Sequence, residues 1–434
     1  MVDLRLPGRV LRNFASPRQL PVAGGEFNDA VRARLRAAPS EPLLYGRSAS
    51  VVLDTGVEKA TVDVKDGRLS SHPGAPRKPN TVIRGSLEVL TDVVHGKASG
   101  IGAFLNGEVT VRGDLSLSLA LDGLFERADQ PVQWPRATLA CPRGVDTAYL
   151  DAGPSDAPVV VLLHGLGGTN ASMLPLMWEL ATDHRVLAPD LPGFGGSAKP
   201  HARYDAAWFV DWLTSFLDEL GVDRAVLIGN SMGGRISLEA GLRAPERVDA
   251  LVLLSAAAAF RRLRQWIPLV RLLRPELGYS PIPVPHSMVV ETIRAMFSDP
   301  DRMPQEWLEA GADEFLRVFA TREGRFAFLS CLRQIYLDEA YGERGFWDRL
   351  PSLKPPALFV WGDRDRLVPA AFARYVAHAL PEAGAIVLED CGHVPQFEHP
   401  DEVAAMTRGF LFDVEADIAA VKTAAVKTAA MGDH

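Results

Sequence analysis

The chain has 434 residues, 47% of them hydrophobic and 23% charged, with a formal net charge of −8. A single hydrophobic core stops growing at about 250–300 residues, so this length calls for two domains, and the composition excludes a disordered chain. The acidic balance excludes a protein built to neutralise nucleic-acid phosphates, so no nucleic-acid partner is expected.

Cys141, Cys331 and Cys391 are widely spaced and form no CxxC pair, so neither a disulfide framework nor a metal site is expected. The N-terminal MVDLRLPGRVLRNFASPRQL lacks the continuous apolar core of a secretory signal, and the longest apolar stretch, 250–260, is too short to span a bilayer as a helix. The expected location is the cytoplasm.

In chain order, FNDAVRARLRAAP (27–39) has helical periodicity, and Pro42 breaks it. Residues 50–54, 59–65, 68–71 and 81–84 read as antiparallel strands, with Asp66-Gly67 as a hairpin turn. Residues 86–95 and 99–104 read as apolar helices and 108–112 as a strand. Residues 114–124 read as a closing amphipathic helix with Asp114 at its N-cap.

Two segments, DGRLSSHPG and NTVIRGSLEVLTDVVHGKASGIGAFLNGEVTVRGDLSLSLAL, resemble the sterol-carrier-protein-2 domain over about 35–125. In that family a sheet and helices enclose an apolar tunnel for acyl chains or sterols, so the resemblance implies lipid binding without a catalytic residue. Taken singly, Leu90, Val93, Val94, Ile101, Phe104 and Leu105 are first of all core residues. The domain is placed at 27–125, and ERADQPVQWP within 126–135 is its linker to the second domain.

From 136 to 413 the rhythm changes. A first hairpin at 137–141 and 147–151 leads to the uninterrupted apolar run 157–163, which suits a strand buried on both faces. Strands at 185–188, 224–228, 250–254, 357–360 and 385–388 then alternate with helices such as 206–220, implying a mainly parallel sheet. Between about 256 and 352 the text is helical and reads as a cap inserted over that sheet. Within it, FRRLRQWIPLVRLL (260–273) has two readings: a solvated basic face, or a peripheral contact of the cap with a lipid surface around Trp266. The tail, 414–434, repeats AAVKT and has little to pack.

The chemistry concentrates in RAVLIGNSMGGR (224–235), where an apolar strand runs into Gly229-Asn230-Ser231-Met232-Gly233-Gly234 and then into a helix. This is the pattern of a nucleophile elbow: a sharp strand-to-helix turn exposes Ser231, and the Met232 N–H and helix N-terminus point at the reaction centre. A serine hydroxyl needs a base held by a third group. WGDRDRLVP (361–369) offers Asp365, and CGHVP (391–395) offers His393, each just beyond a strand's C-terminal end. Asp363 is the rival acid.

The order Ser231, Asp365, His393, with His164-Gly165 and DLPGFGGS (190–197), resembles the α/β-hydrolase family over about 137–412. The fold class expected is therefore α/β, a mainly parallel sheet with a helical cap, preceded by a smaller α+β domain. The G-x-x-D spacing of the family favours Asp365 over Asp363, and its HG loop makes the Leu166 N–H the second oxyanion donor beside Met232. His164, Asp190 and Cys391 are read as structural. The resemblance implies ester hydrolysis without a cofactor on a small apolar ester or lipid, and leaves the oligomeric state unknown. GNSMGG and GHVPQFEH also resemble carbon–carbon bond hydrolases of ring-cleavage diketones, although Val394 stands where those carry an aromatic residue. A third reading is a lipid-binding or transfer protein with a subsidiary hydrolase domain.

Overall fold

The computed structural model describes residues 25–37, 48–125, 134–257, 267–343 and 345–414. The tail 415–434, most of the 126–135 linker, Pro42 and residues 260–266 of the basic cap segment, Trp266 included, lie outside them. After α1 (Glu26–Arg34), β1 (Ala49–Asp54), β2 (Lys59–Lys65) and β3 (Arg68–Pro73) form an antiparallel meander. Asp66 and Gly67 both have positive φ, 51° and 71°, as a two-residue type I′ turn requires.

The strand β4 (Thr81–Gly85) departs from the sequence expectation, because it pairs parallel with β1. The β2–β3 hairpin occupies one edge of β1, so β4 takes the other, and hydrophobic periodicity carries no information about strand direction. After α2 (Leu87–Val94) and α3 (Gly100–Leu105), β5 (Val109–Gly113) returns antiparallel to β4, giving the order β3-β2-β1-β4-β5.

A second correction concerns 114–124. Asp114 caps α4 (Leu115–Leu119) as expected, accepting from Leu117 N at 2.9 Å. The helix stops at Ala120, however, and 121–124 form a 3-10 turn, with the whole stretch from 115 buried rather than amphipathic. Its serines are buried with partners: Ser118 Oγ donates to the Asp114 carbonyl and bonds Thr81 Oγ1 at 2.8 Å. Leu90, Val93, Val94, Ile101 and Phe104 are in the core, and Leu105 lies partly exposed against it. Ile83, Ile101, Phe104, Val111, Leu115 and Leu119 line a cavity of about 10 Å³. That is room for about one water, so an acyl chain enters only by displacing them.

The second sheet has eight strands in the order β13-β12-β11-β10-β8-β9-β7-β6. The hairpin of β6 (Arg136–Ala140) and β7 (Thr147–Ala152) is antiparallel, whereas β8 (Val159–Leu163) starts a parallel core. There follow α5 (Leu174–Leu180), β9 (Arg185–Pro189), α6 (Ala206–Glu219), β10 (Ala225–Asn230), α7 (Met232–Arg243) and β11 (Val248–Leu254). The cap holds α8 (Ile267–Leu272), α9 (His286–Arg294), α10 (Gln305–Phe319), α11 (Arg322–Leu337) and α12 (Phe346–Arg349). The chain then re-enters the sheet through β12 (Ala357–Gly362), α13 (Ala373–Ala379), β13 (Gly384–Leu388) and α14 (Pro395–Glu398), and a helix over 400–414 completes the described residues. No helix among the described residues is long and apolar enough to cross a membrane.

The cap helix α10 joins the two halves. Asp313 accepts from Gly113 N at 3.1 Å and Arg112 Nε at 2.7 Å, and Glu314 accepts from Leu115 N at 3.1 Å. These carboxylates answer amides around the first turn of α4, donors that no intrahelical acceptor reaches. Trp307 Nε1 donates to the Phe104 carbonyl, and its ring rests 5.8 Å from that of Phe104.

Beneath the cap, buried Glu239 on α7 meets Arg235, Arg243 and Arg349 at 2.9, 2.6 and 2.8 Å. Burial opposes its ionisation, but the three guanidiniums outweigh burial and hold the carboxyl well below its ordinary range. Glu239→Ala strands the buried Arg235 with Asp338 alone, so the unfolding free energy should drop by about 3–5 kcal/mol. Urea denaturation measures this, and a loss under about 1 kcal/mol would show that the arginines find water instead.

Candidate active site

Between the last residue of β10 and the first of α7, Ser231 adopts φ 52° and ψ −111°. A residue with a side chain holds such a backbone only where its surroundings impose it. The imposition comes from the glycines. A Cβ on Gly233 would stand 2.0 Å from the Leu163 carbonyl oxygen, and one on Gly229 would stand 2.4 Å from the Gly233 carbonyl group. The turn closes against β8 only because both are absent. Ser231 N donates to the Leu254 carbonyl at 3.0 Å, and the Ser231 carbonyl accepts from Ala257 N and Arg235 N, which pins the turn from both sides.

His393 is buried beyond β13, and its Nδ1 lies 2.9 Å from Asp365 Oδ2. Asp365 Oδ1 accepts from Leu367 N and Val368 N at 2.8 Å each, which orients the other oxygen at the ring. The carboxylate requires a proton on Nδ1, which leaves Nε2 as the basic nitrogen. Asp363 does something else: its Oδ1 accepts from Cys391 N and ties the two strand ends together. No hydrogen bond joins Ser231 Oγ to His393 in this conformation, and such contacts tighten when substrate arrives.

The loop 164–168 lies against the elbow. A Cβ on Gly165 would meet Asn230 Oδ1 at 3.3 Å and Ser231 Cβ at 3.4 Å, so the backbone leading to Leu166 passes beside the serine. His164 is a clamp: Nε2 accepts from Leu191 N at 2.9 Å, and Nδ1 donates to the Gly165 carbonyl at 2.8 Å. Asp190, fully buried, accepts from Asn170 N and Gly196 N and braces its loop, with burial raising its pKa. Cys391 is buried, and burial pushes its thiol up, which keeps it an unreactive thiol.

Three supporting residues escaped the sequence reading. Asn230 Nδ2 donates to the His393 carbonyl at 2.9 Å and to the Leu254 carbonyl at 3.1 Å, linking the His393 loop and the elbow. Its polarity at the end of an otherwise apolar strand was the available signal. Met296, in the cap, accepts from His393 N at 2.7 Å, and Glu398 takes Gly392 N and Ser298 N at 2.8 Å each. No sequence signal marked those two, because each contact joins distant segments. Above the 164–168 loop, Phe315 and Phe319 of α10 and Phe328 of α11 form an interlocked aromatic roof, with ring centroids 5.3–5.6 Å apart. Among the described residues no group of three or more His, Cys, Asp or Glu is arranged to hold a metal ion.

Residues 158–400 match the family model described as alpha/beta hydrolase fold, which is over half of the chain. The chain belongs to the alpha/beta hydrolase family. Residues 43–126 of this hydrolase match the SCP-2 sterol transfer family. It is 32% identical over 323 residues to the dihydrolipoyllysine-residue acetyltransferase component of the acetoin cleaving system of Pseudomonas putida, covering 72% of this chain and 80% of that one. It is 30% identical to the 2-hydroxymuconate semialdehyde hydrolase of Pseudomonas sp. strain CF600, covering 64% of this chain and 94% of that one. Among solved structures it is similar to a bacterial membrane phospholipase A, with a TM-score of 0.55 and 28% identity, covering 65% of this chain and 87% of that one.

Burial pushes the His164 imidazole down to about 4 from an ordinary 6.5. Near pH 5 the unfolded hydrolase therefore binds a proton that the folded one refuses. This contribution to stability is full above about pH 6.5 and is lost as pH falls towards 4. Urea midpoints of the wild type should fall more steeply across that window than those of His164→Gln. Parallel curves would assign the acid sensitivity to other groups.

Proposed function

We propose that this hydrolase cleaves carboxylic esters of apolar acyl groups through an acyl-enzyme on Ser231. The observation that carries this reading is the His393–Asp365 pair, at 2.9 Å, in the loops that Asn230 ties to the strained Ser231 turn. Ser231 Oγ attacks the acyl carbonyl and passes its proton to His393 Nε2, and Asp365 stabilises the imidazolium through Nδ1. The Met232 and Leu166 N–H groups receive the negative oxygen of the tetrahedral intermediate. The alcohol leaves with the proton from His393, and water, activated by the same ring, releases the acid. No metal or organic cofactor enters these steps.

The aromatic roof of Phe315, Phe319 and Phe328 supports an apolar acyl group, as does the company of a domain matching the SCP-2 family. We assign 27–125 to lipid binding and 136–413 to catalysis, with the cap at about 256–352. A second reading, cleavage of a carbon–carbon bond in a ring-cleavage diketone, is favoured by the likeness to 2-hydroxymuconate semialdehyde hydrolase. It uses the same serine.

A fluorophosphonate probe should label the wild type and not Ser231→Ala. On p-nitrophenyl esters from acetate to palmitate, kcat should fall by about 10⁶ in Ser231→Ala and about 10⁴ in Asp365→Asn. Absence of wild-type labelling would overturn the serine mechanism. Labelling with turnover of diketones and none of esters would establish the second reading.

A further inference from the structure

Exposed apolar side chains are unevenly spread over this molecule. Of eleven large ones among the described residues, five fall between 272 and 288: Leu272, Leu277, Tyr279, Ile282 and Met288. Leu272 is 74% exposed. The rest are scattered singly, as on any protein surface. The clustered five belong to α8, the 3-10 turn Pro275–Tyr279, the loop after it that carries Ile282, and the start of α9, all in the cap.

The turn is held outward by its anchor. Buried Arg325 on α11 donates to the carbonyls of Gly278, Phe319 and Ala320 at 2.7, 3.0 and 2.7 Å. The Tyr279 ring stacks on Phe326 at 5.6 Å, and His201 stacks on the same ring at 4.4 Å. One hydrogen bond and one ring stack thus hold the turn with Leu277 exposed, and exposed apolar side chains gathered in one stretch mark a docking surface.

The neighbouring charges indicate the kind of surface that docks. Beside the patch is a cavity of about 660 Å³ lined by Arg203, Arg271, Arg274 and Arg333 together with His201. Glu276 is the carboxylate in that lining, and Asp205 sits 2.9 Å from Arg203. Four guanidiniums thus gather on one side of a chain whose net charge is −8. The molecule as a whole is repelled by an anionic surface, so it approaches one only through such a face. Guanidinium forks suit phosphate oxygens, and apolar residues set among arginines suit the boundary between headgroups and acyl chains.

We propose that this face of the cap docks on an anionic lipid surface. Leu272, Leu277, Tyr279 and Ile282 enter the headgroup boundary, and the arginine-lined cavity receives headgroup phosphates. The helix α11 carries both Arg333 on this face and Phe328 in the roof over the 164–168 loop. The inference goes beyond the ester reading and stands without it.

The test is co-sedimentation of the full chain with vesicles of phosphatidylcholine alone and of phosphatidylcholine with roughly 30% phosphatidylglycerol. The wild type should bind the anionic vesicles and leave them at about 0.5 M salt, where charge attraction is screened. Arg271→Glu/Arg274→Glu and, separately, Leu272→Asp should each weaken binding by about tenfold or more, with thermal unfolding unchanged from wild type. Equal binding to both vesicles, no binding at all, or wild-type binding by both variants overturns the proposal. So does light scattering that shows a dimer lost in the same variants with no vesicle binding, because the face would then join two copies of this chain. None of these outcomes depends on whether Ser231 is a nucleophile.

Discussion

The positive-φ backbone at Ser231 is the constraint on which the rest of the catalytic half depends. It is a conformation that a serine does not adopt unaided. It persists because β8, β10 and β11 lie beside one another in a parallel sheet, and because Ser231 N donates to the Leu254 carbonyl while the Ser231 carbonyl accepts from Ala257 N and from Arg235 N of α7. The glycines on either side allow the approach to Leu163, and Asn230 relays the position of the turn to the His393 loop. Strain at one residue is thus distributed over three strands and two loops, drawn from segments far apart in sequence.

The two halves meet through orphaned amides. Gly113 N and Leu115 N flank the start of α4, and the acceptors come from Asp313 and Glu314 on a cap helix about two hundred residues away. Burial raises the Glu314 pKa, and the neighbouring Arg317 pulls against that shift. The first sheet is therefore docked by polar satisfaction as well as by the contact of Phe104 with Trp307. That helix also carries Phe315 and Phe319 above the 164–168 loop, so the lipid-carrier-like domain rests on the same helix as the aromatic roof.

Much of this was legible in the residues because the signals are local. Asp66-Gly67 demanded a two-residue hairpin, Asp114 demanded a helix start, and the glycines around Ser231 had no other purpose than an elbow. The departures arose where information is not local. The direction of β4 is decided by which edge of β1 is free, and the burial of 115–124 is decided by distant segments, α10 against α4 and Leu35 against Phe125 among them. Side-chain direction at the end of β12 separates the two carboxylates, Asp365 reaching the His393 ring as its spacing led one to expect and Asp363 reaching Cys391 N.

The residues alone were thus enough to specify the division into two unlike domains, the alternation that makes a parallel sheet, and the Ser231, Asp365 and His393 positions in their chain order. The first two come from periodicity and turn chemistry, which the backbone reads over a few residues, and the third from the resemblance to a family's motifs and chain order. It took the folded arrangement to bring Asp365 to the imidazole and Asp363 to Cys391 N, to bring Asn230, Met296 and Glu398 against the loops they hold, and to leave an arginine-lined apolar face open on the cap. Each of these joins residues tens to hundreds of positions apart, and such pairings exist only once burial has brought the strands and the cap together.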